Sequence, residues 1–198
     1  MKQTDSDLRK FPTIGVCGLD CGLCPRYYTV GTSRCPGCGG HDFFDKHPSC
    51  SFITCCVKKN NLEVCAECSD FPCFKFKSDK EYQQAKESSS YPPYKKVMSN
   101  LNFIKEHGIE KFAEGQKKRI KLLEAMIENF DDGRSKSFFG KATALLDLTS
   151  LENSLDKAIK IAESNNFKPN DAKSKAKILK DILNLTAIKD GIEFIKKN

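Results

Sequence analysis

All eleven cysteines of this 198-residue chain lie between Cys17 and Cys73, and the 125 residues that follow contain none. They come in close sets: Cys17-Gly-Leu-Asp-Cys21-Gly-Leu-Cys24, then Cys35-Pro-Gly-Cys38-Gly, then Cys50, Cys55 and Cys56, and last Cys65-Ala-Glu-Cys68 with Phe71-Pro72-Cys73. Thiols two residues apart, repeated along a chain, are what tetrahedral metal coordination asks of a sequence. The segment is poor in periodic apolar residues and buries too little surface to fold unaided. Metal binding is therefore expected to supply much of its stability.

The first ten residues, Met-Lys-Gln-Thr-Asp-Ser-Asp-Leu-Arg-Lys, have no apolar core of signal-peptide length, and no apolar run is long enough to cross a membrane. A cytoplasmic protein with no membrane partner is expected. In a reducing compartment disulfides are disfavoured, and an odd number of cysteines cannot pair completely. The net charge of +7 is spread out: residues 1–78 hold 10 Lys and Arg against 8 Asp and Glu, and residues 79–198 hold 23 against 18.

Residues 1–13 read as a loose leader, 14–76 as the cysteine-rich metal-binding module, and 77–93, with Ser88-Ser-Ser-Tyr-Pro92-Pro93, as a connector. Residues 94–198 form the helical domain. Val97, Leu101 and Ile104 predict a helix that ends at His107-Gly108. Ile120, Leu123, Ile127 and Phe130 predict a second, closed by Asp132-Gly133. A third is expected within Ser137–Thr149. Thr149-Ser-Leu-Glu152 reads as a capping box for a fourth, which carries Leu155, Ile159 and Ala162. Asn165-Asn166 with Pro169-Asn170 is a turn, and Ile178, Ile182, Leu185, Ile188, Ile192 and Ile195 mark a last helix that Gly191 softens. The expected fold is a small irregular α+β metal-stabilised cysteine-rich module of zinc-ribbon or knuckle type, followed by an all-α helical bundle.

Ten thiols are the expected metal ligands: Cys17, Cys21, Cys24, Cys35, Cys38, Cys50, Cys55, Cys65, Cys68 and Cys73. Cys21, Cys24, Cys35 and Cys38 are the first choice for one closed tetrathiolate site, because glycine and proline let both knuckles bend around an ion. Cys65 and Cys68 form a further knuckle, with Cys50, Cys55 and Cys73 available to complete it. Cys56 follows Cys55 directly, and since neighbouring side chains diverge it is set aside as a bystander. His41 and His47 read as solvated loop residues, His41 being the better placed of the two to replace a thiol. The expected cofactor is Zn²⁺, two or more ions, with an iron–sulfur cluster as the alternative, since sets of thiolates serve iron as well. Cys17-x3-Cys21-x2-Cys24 also has the spacing of radical S-adenosylmethionine enzymes, but the remaining chain lacks the alternating strands and helices of their barrel.

The series from Cys17 through Cys24-Pro-Arg-Tyr27, Cys35-Pro-Gly-Cys38, Cys50 and Cys55 to Val64-Cys65-Ala-Glu-Cys68-Ser-Asp-Phe71-Pro72-Cys73 resembles domain-of-unknown-function family 3795, a prokaryotic family of cysteine-rich proteins. The likeness is detailed over 14–76 and looser through Asn100–Phe112 and Gln116-Lys-Lys-Arg119. It implies a small metal-binding module, taken to hold zinc, with no settled activity. Family members often carry a further cysteine knuckle where this chain has Gly133-Arg-Ser-Lys-Ser-Phe-Phe-Gly140.

Closed thiolate zinc has no open position and builds structure, so the first functional reading is an interaction or regulatory module whose partner is another protein, not an enzyme. A thiol redox or iron–sulfur protein is the alternative. A third reading is nonspecific nucleic-acid binding through Lys117-Lys118-Arg119-x-Lys121 and Lys173-x-Lys175-x-Lys177. Lysine outnumbers arginine 28 to 5, which disfavours base-specific recognition.

Overall fold

In the computed structural model, which describes residues 8–47, 49–78, 95–165, 167 and 171–194, the cysteine pairs close their own backbone turns. The Cys24 amide donates to the Cys21 carbonyl at 3.1 Å and the Cys68 amide to the Cys65 carbonyl at 3.2 Å, so Cys21–Leu23 and Cys65–Glu67 are each a turn of 3₁₀ helix. Pro25–Tyr28 is another. The helices α1 (Phe43–Lys46), α2 (Ser51–Ile53) and α3 (Phe74–Ser78) are short, and α2 runs on into a π-helical turn at Thr54–Lys59. Turns that satisfy their own amides leave no row of donors for a sheet. Among the described residues there is no strand, and a single isolated antiparallel bridge joins Ile14 to Asp20. The expected α+β zinc-ribbon module is thus corrected: the segment is made of helical turns and loops.

The chain divides into two compact units, Met1–Gln116 and Lys117–Asn198. In the first, α4 (Val97–His107) and the opening turns of α5 (Ile109–Phe130) share one core with the cysteine segment: Ile14, Val64, Phe71 and Phe76 meet Val97, Leu101, Ile104 and Ile109. This unit therefore extends beyond the 14–76 module expected from the cysteines. The connector expected at 77–93 lies outside the described residues from 79 onward. A Cβ on Gly18, whose φ is +88°, would stand 2.6 Å from Leu101 Cγ and 2.7 Å from the Val97 carbonyl oxygen, so glycine lets the Cys17-Gly18 turn sit directly on α4. Asn100 and Lys105 of α4 donate to the carbonyls of Gly18 (2.9 Å) and Phe71 (3.0 Å).

Residues 1–7 of the expected loose leader lie outside the described residues, but from Leu8 onward the leader is fixed. Arg9 is only 3% exposed. Its guanidinium donates to the carbonyls of Ile14 (2.5 Å), Cys38 (3.0 Å) and Glu63 (2.6 and 3.1 Å), and Nε lies 3.4 Å from Glu63 Oε1. The same carboxylate accepts the Phe11 amide at 2.8 Å.

The second unit comprises the rest of α5 with α6 (Lys136–Leu145), α7 (Leu148–Ser164) and α8 (Ala172–Lys189). Its buried residues include Leu123, Met126, Phe130, Phe139, Leu151, Leu155, Leu179 and Leu183. Arg119 donates to the last carbonyls of α6, Thr143 (2.5 Å) and Leu146 (2.7 Å), so the one arginine of the first basic run serves as a helix cap. Helix α7 begins earlier than the expected capping box: Asp147 is its N-cap, accepting the Ser150 amide at 2.8 Å. On α8 the buried residues are Ala176, Leu179, Ile182, Leu183 and Ala187, whereas Leu185 and Ile188 of the expected stripe are 66% and 73% exposed. Small alanines fill the face that closes on α7, so the eye following isoleucine alone picks a neighbouring face. The helix ends at Lys189, and Gly191 (φ +67°) lies beyond it and does not soften its interior. Asn166, Pro169, Asn170 and Ile195 lie outside the described residues.

Two outcomes follow from these contacts. Arg9→Met leaves the Glu63 carboxylate and three carbonyls short of a donor and is expected to cost about 3 kcal/mol, read by chemical denaturation. The Asp132 carboxyl is held below its ordinary value of 3.8 by the Ser135 hydroxyl (2.5 Å), the Arg134 amide (3.0 Å) and Lys180 (3.6 Å). A depressed folded value stabilises above the ordinary value and is lost as pH falls through the folded one. Asp132→Asn is therefore expected to be less stable than the parent at pH 7, with the gap closing below about pH 4 in paired denaturation curves.

Candidate metal centre

None of the eleven cysteines is in a disulfide. Four of the thiols meet in two pairs. Cys21 and Cys38 are hydrogen-bonded to each other, as are Cys56 and Cys65. Cys35 Sγ lies 3.2 Å from His47 Nε2, and Cys24 is near enough to feel the charge of Cys35. Cys17 stands beside Cys38 and Cys50, and also within reach of the charge on Cys65. Cys50 leads into α2, where its carbonyl accepts the Thr54 amide at 3.0 Å. Cys55, Cys56, Cys65, Cys68 and Cys73 line one cavity of ≈ 30 Å³ with aromatic walls, room for about a single water or ion. The set expected to close one site is thus drawn as two pairs, Cys21 with Cys38 and Cys24 beside Cys35. Among the described residues no three His, Cys, Asp or Glu side chains converge tightly enough to hold an ion.

The pairs are electrically uneven. The Cys21 hydrogen bond, with help from the Arg9 guanidinium, lowers Cys38 to about 6, and the same bond raises Cys21 well above its usual range. In the second pair the Cys65 hydrogen bond and Arg9 lower Cys56, while Cys65 is raised by that bond and by burial. In each pair the shared hydrogen bond pushes the two thiols in opposite directions. Burial pushes Cys17 up to about 12. Burial raises Cys24, and burial followed by the charge of Arg26 holds His47 below its ordinary value, which favours the neutral ring that can ligate.

Three contributors escaped the sequence reading. Neighbouring residues on a turn do diverge, but Cys56 is the one turned inward, 3% exposed, sharing a buried face with Ile53 three residues back. The spacing of Ile53 and Cys56 was the available signal. His47 stacks on Phe43 four residues earlier, with centroids 4.5 Å apart, and its amide bonds to the Phe43 carbonyl at 2.9 Å. That i,i+4 aromatic pair was legible in the same way. His41, the better placed on paper, turns instead to Asp42 at 2.7 Å. Arg9 carried no pattern at all.

The Cys35-Pro-Gly-Cys38 knuckle depends on a close approach. The Cys38 amide donates to the Pro12 carbonyl at 2.6 Å, and a Cβ on Gly37 (φ +90°) would collide with that same carbonyl oxygen. Gly31 also has positive φ, +82°, but nothing lies within 4 Å of its missing Cβ. Gly31→Ala is expected to cost roughly 1 kcal/mol in backbone strain alone, and Gly37→Ala roughly 3 kcal/mol or more because a clash is added. Equal losses in thermal unfolding would show that the knuckle does not need the approach to Pro12.

Neither a curated protein nor a solved structure matches the chain. Residues 13–78, which hold every cysteine and both thiol pairs, match the model of the family described as protein of unknown function (DUF3795).

Proposed function

We propose that the first unit is a thiolate metal module that binds Zn²⁺ and acts as an interaction or regulatory scaffold. The observation that carries this reading is the pairing of soft donors inside a segment with almost no regular structure: two thiol–thiol pairs, one thiol–imidazole pair, and a further thiol beside each. Zinc with sulfur at about 2.3 Å and nitrogen at about 2.0 Å in a tetrahedron sets neighbouring S···S at about 3.8 Å and S···N at about 3.5 Å. The Cys35–His47 separation of 3.2 Å is of that order. The donor chemistry fits zinc, and uptake requires the neighbouring thiols to turn toward each pair. Bound there, the ion would supply cross-links between turns and, where its four places are filled by protein, no catalytic position. The scaffold role rests on that count. Its partner is expected to be another protein.

Protein purified without added metal is expected to contain two or more zinc ions per chain by elemental analysis. Iron with acid-labile sulfide and visible absorbance would replace zinc with a cluster, and a metal-free preparation would overturn the reading. Stripping the metal with a chelator should abolish amide protection in residues 8–78, while the helices of residues 117–189 keep theirs in hydrogen exchange.

A further inference from the structure

We propose that Cys24, Cys35 and His47 form a mixed thiolate–imidazole metal site of their own, distinct from those built on the Cys21–Cys38 and Cys56–Cys65 pairs. The inference rests on the metal reading above and names one of its sites. Its core is the 3.2 Å contact between Cys35 Sγ and His47 Nε2.

Both partners are held by their own surroundings. The His47 ring lies flat on Phe43 with an interplanar angle of 17°, and Phe43 is buried with its amide bonded to the Gly40 carbonyl at 3.0 Å. This fixes the ring plane and presents Nε2 to Cys35. Cys35 is tied by its amide to the Arg26 carbonyl at 2.9 Å, two residues from Cys24, which brings the third donor to the same side of the knuckle. Cys24 is itself anchored where two 3₁₀ turns meet, its amide on Cys21 and its carbonyl taking the Tyr27 amide at 2.9 Å.

The donor set separates this site from the rest. The other clusters offer sulfur alone: Cys17, Cys21, Cys38 and Cys50 on one side, and the five thiols around the ≈ 30 Å³ cavity on the other. With Cys24 turned toward the Cys35–His47 pair, one nitrogen and two sulfurs would fill three of the four places zinc takes, leaving one for an outside ligand. An ion held by three protein donors exchanges more readily than one held by four. The site would thus be the labile position of the module, able to accept a thiolate or carboxylate from a partner.

Zinc content of the full-length protein, counted by elemental analysis in His47→Ala, His47→Cys, Cys35→Ser and His41→Ala, tests this directly. His47→Ala and Cys35→Ser are expected to lose one equivalent per chain and keep the remainder, His47→Cys to regain it, and His41→Ala to match the parent. A brief chelator pulse should remove the same single equivalent from the parent first. His47→Ala with the parent's full zinc content would overturn the site while leaving the metal module standing, whereas a parent with no metal would overturn the module itself. If His47→Ala loses all its metal through misfolding, zinc X-ray absorption of the parent decides: a nitrogen neighbour in the averaged shell supports the site, and a pure sulfur shell overturns it.

Discussion

The first unit depends on a buried guanidinium. Arg9 brings a charge into an interior where an unpaired one would be prohibitive, and the fold offsets that cost by offering it the Glu63 carboxylate and the carbonyls of Ile14, Cys38 and Glu63. Those carbonyls belong to three different stretches: the turn before Cys17, the end of the Cys35–Cys38 knuckle, and the approach to Cys65. An arginine fork has fixed geometry, so satisfying it sets the spacing of all three. Among the described residues the cysteine turns have no sheet to position them. A single residue from the supposed leader does much of that work. The charge acts a second time: the partner thiol's hydrogen bond lowers Cys38 and Cys56, one member of each thiol pair, and the field of Arg9 adds to that.

What the guanidinium does from within, the helices after the connector do from outside. Val97, Leu101 and Ile104 supply the apolar face against which Ile14, Val64, Phe71 and Phe76 of the cysteine segment pack. Gln116, the last residue of the first unit, is buried and closes the arrangement: its amide nitrogen donates to the Thr13 carbonyl at 2.9 Å and to Asp20, and its oxygen accepts the Thr13 hydroxyl at 2.8 Å. Asp20 precedes Cys21, so a polar side chain of α5 orients the turn that carries a thiol pair. Gln116 is thus part of the cysteine unit and not of the bundle that follows it.

Much of this was legible in the cysteine spacing and the helical periods. The breaks at Gly108 and Gly133, and the helices before them, fall where Leu101, Ile104, Leu123 and Phe130 predict. Two kinds of information were hidden. Alanine-rich faces carry little hydrophobic signal, so on α8 the stripe of Ile178, Leu185 and Ile188 outweighed the buried face of Ala176, Leu183 and Ala187. Contacts between distant residues leave no local pattern either: nothing near Arg9 announces Glu63, 54 positions away. The absence of strands among the described residues was hidden for a different reason. Short runs such as Ser51-Phe52-Ile53-Thr54 have strand composition, but they lie between cysteines whose turns already satisfy the backbone, and they coil into α2 and the π-helical turn.

The two-by-two arrangement of the thiols has a simple electrostatic basis. Two sulfurs can share one proton as a hydrogen bond between thiol and thiolate, and Cys21 with Cys38 and Cys56 with Cys65 are each joined by such a bond. A third thiolate brought to the same point adds like-charge repulsion that a single proton cannot offset, and burial makes the repulsion stronger. A dipositive ion changes the balance, because it attracts every thiolate around it and keeps coordinating thiols deprotonated. The pair is therefore the natural resting unit for protons and the set of four the natural unit for zinc. Cys17, Cys24, Cys50 and Cys73, each beside a pair but outside its hydrogen bond, are the residues from which the larger sets would be drawn.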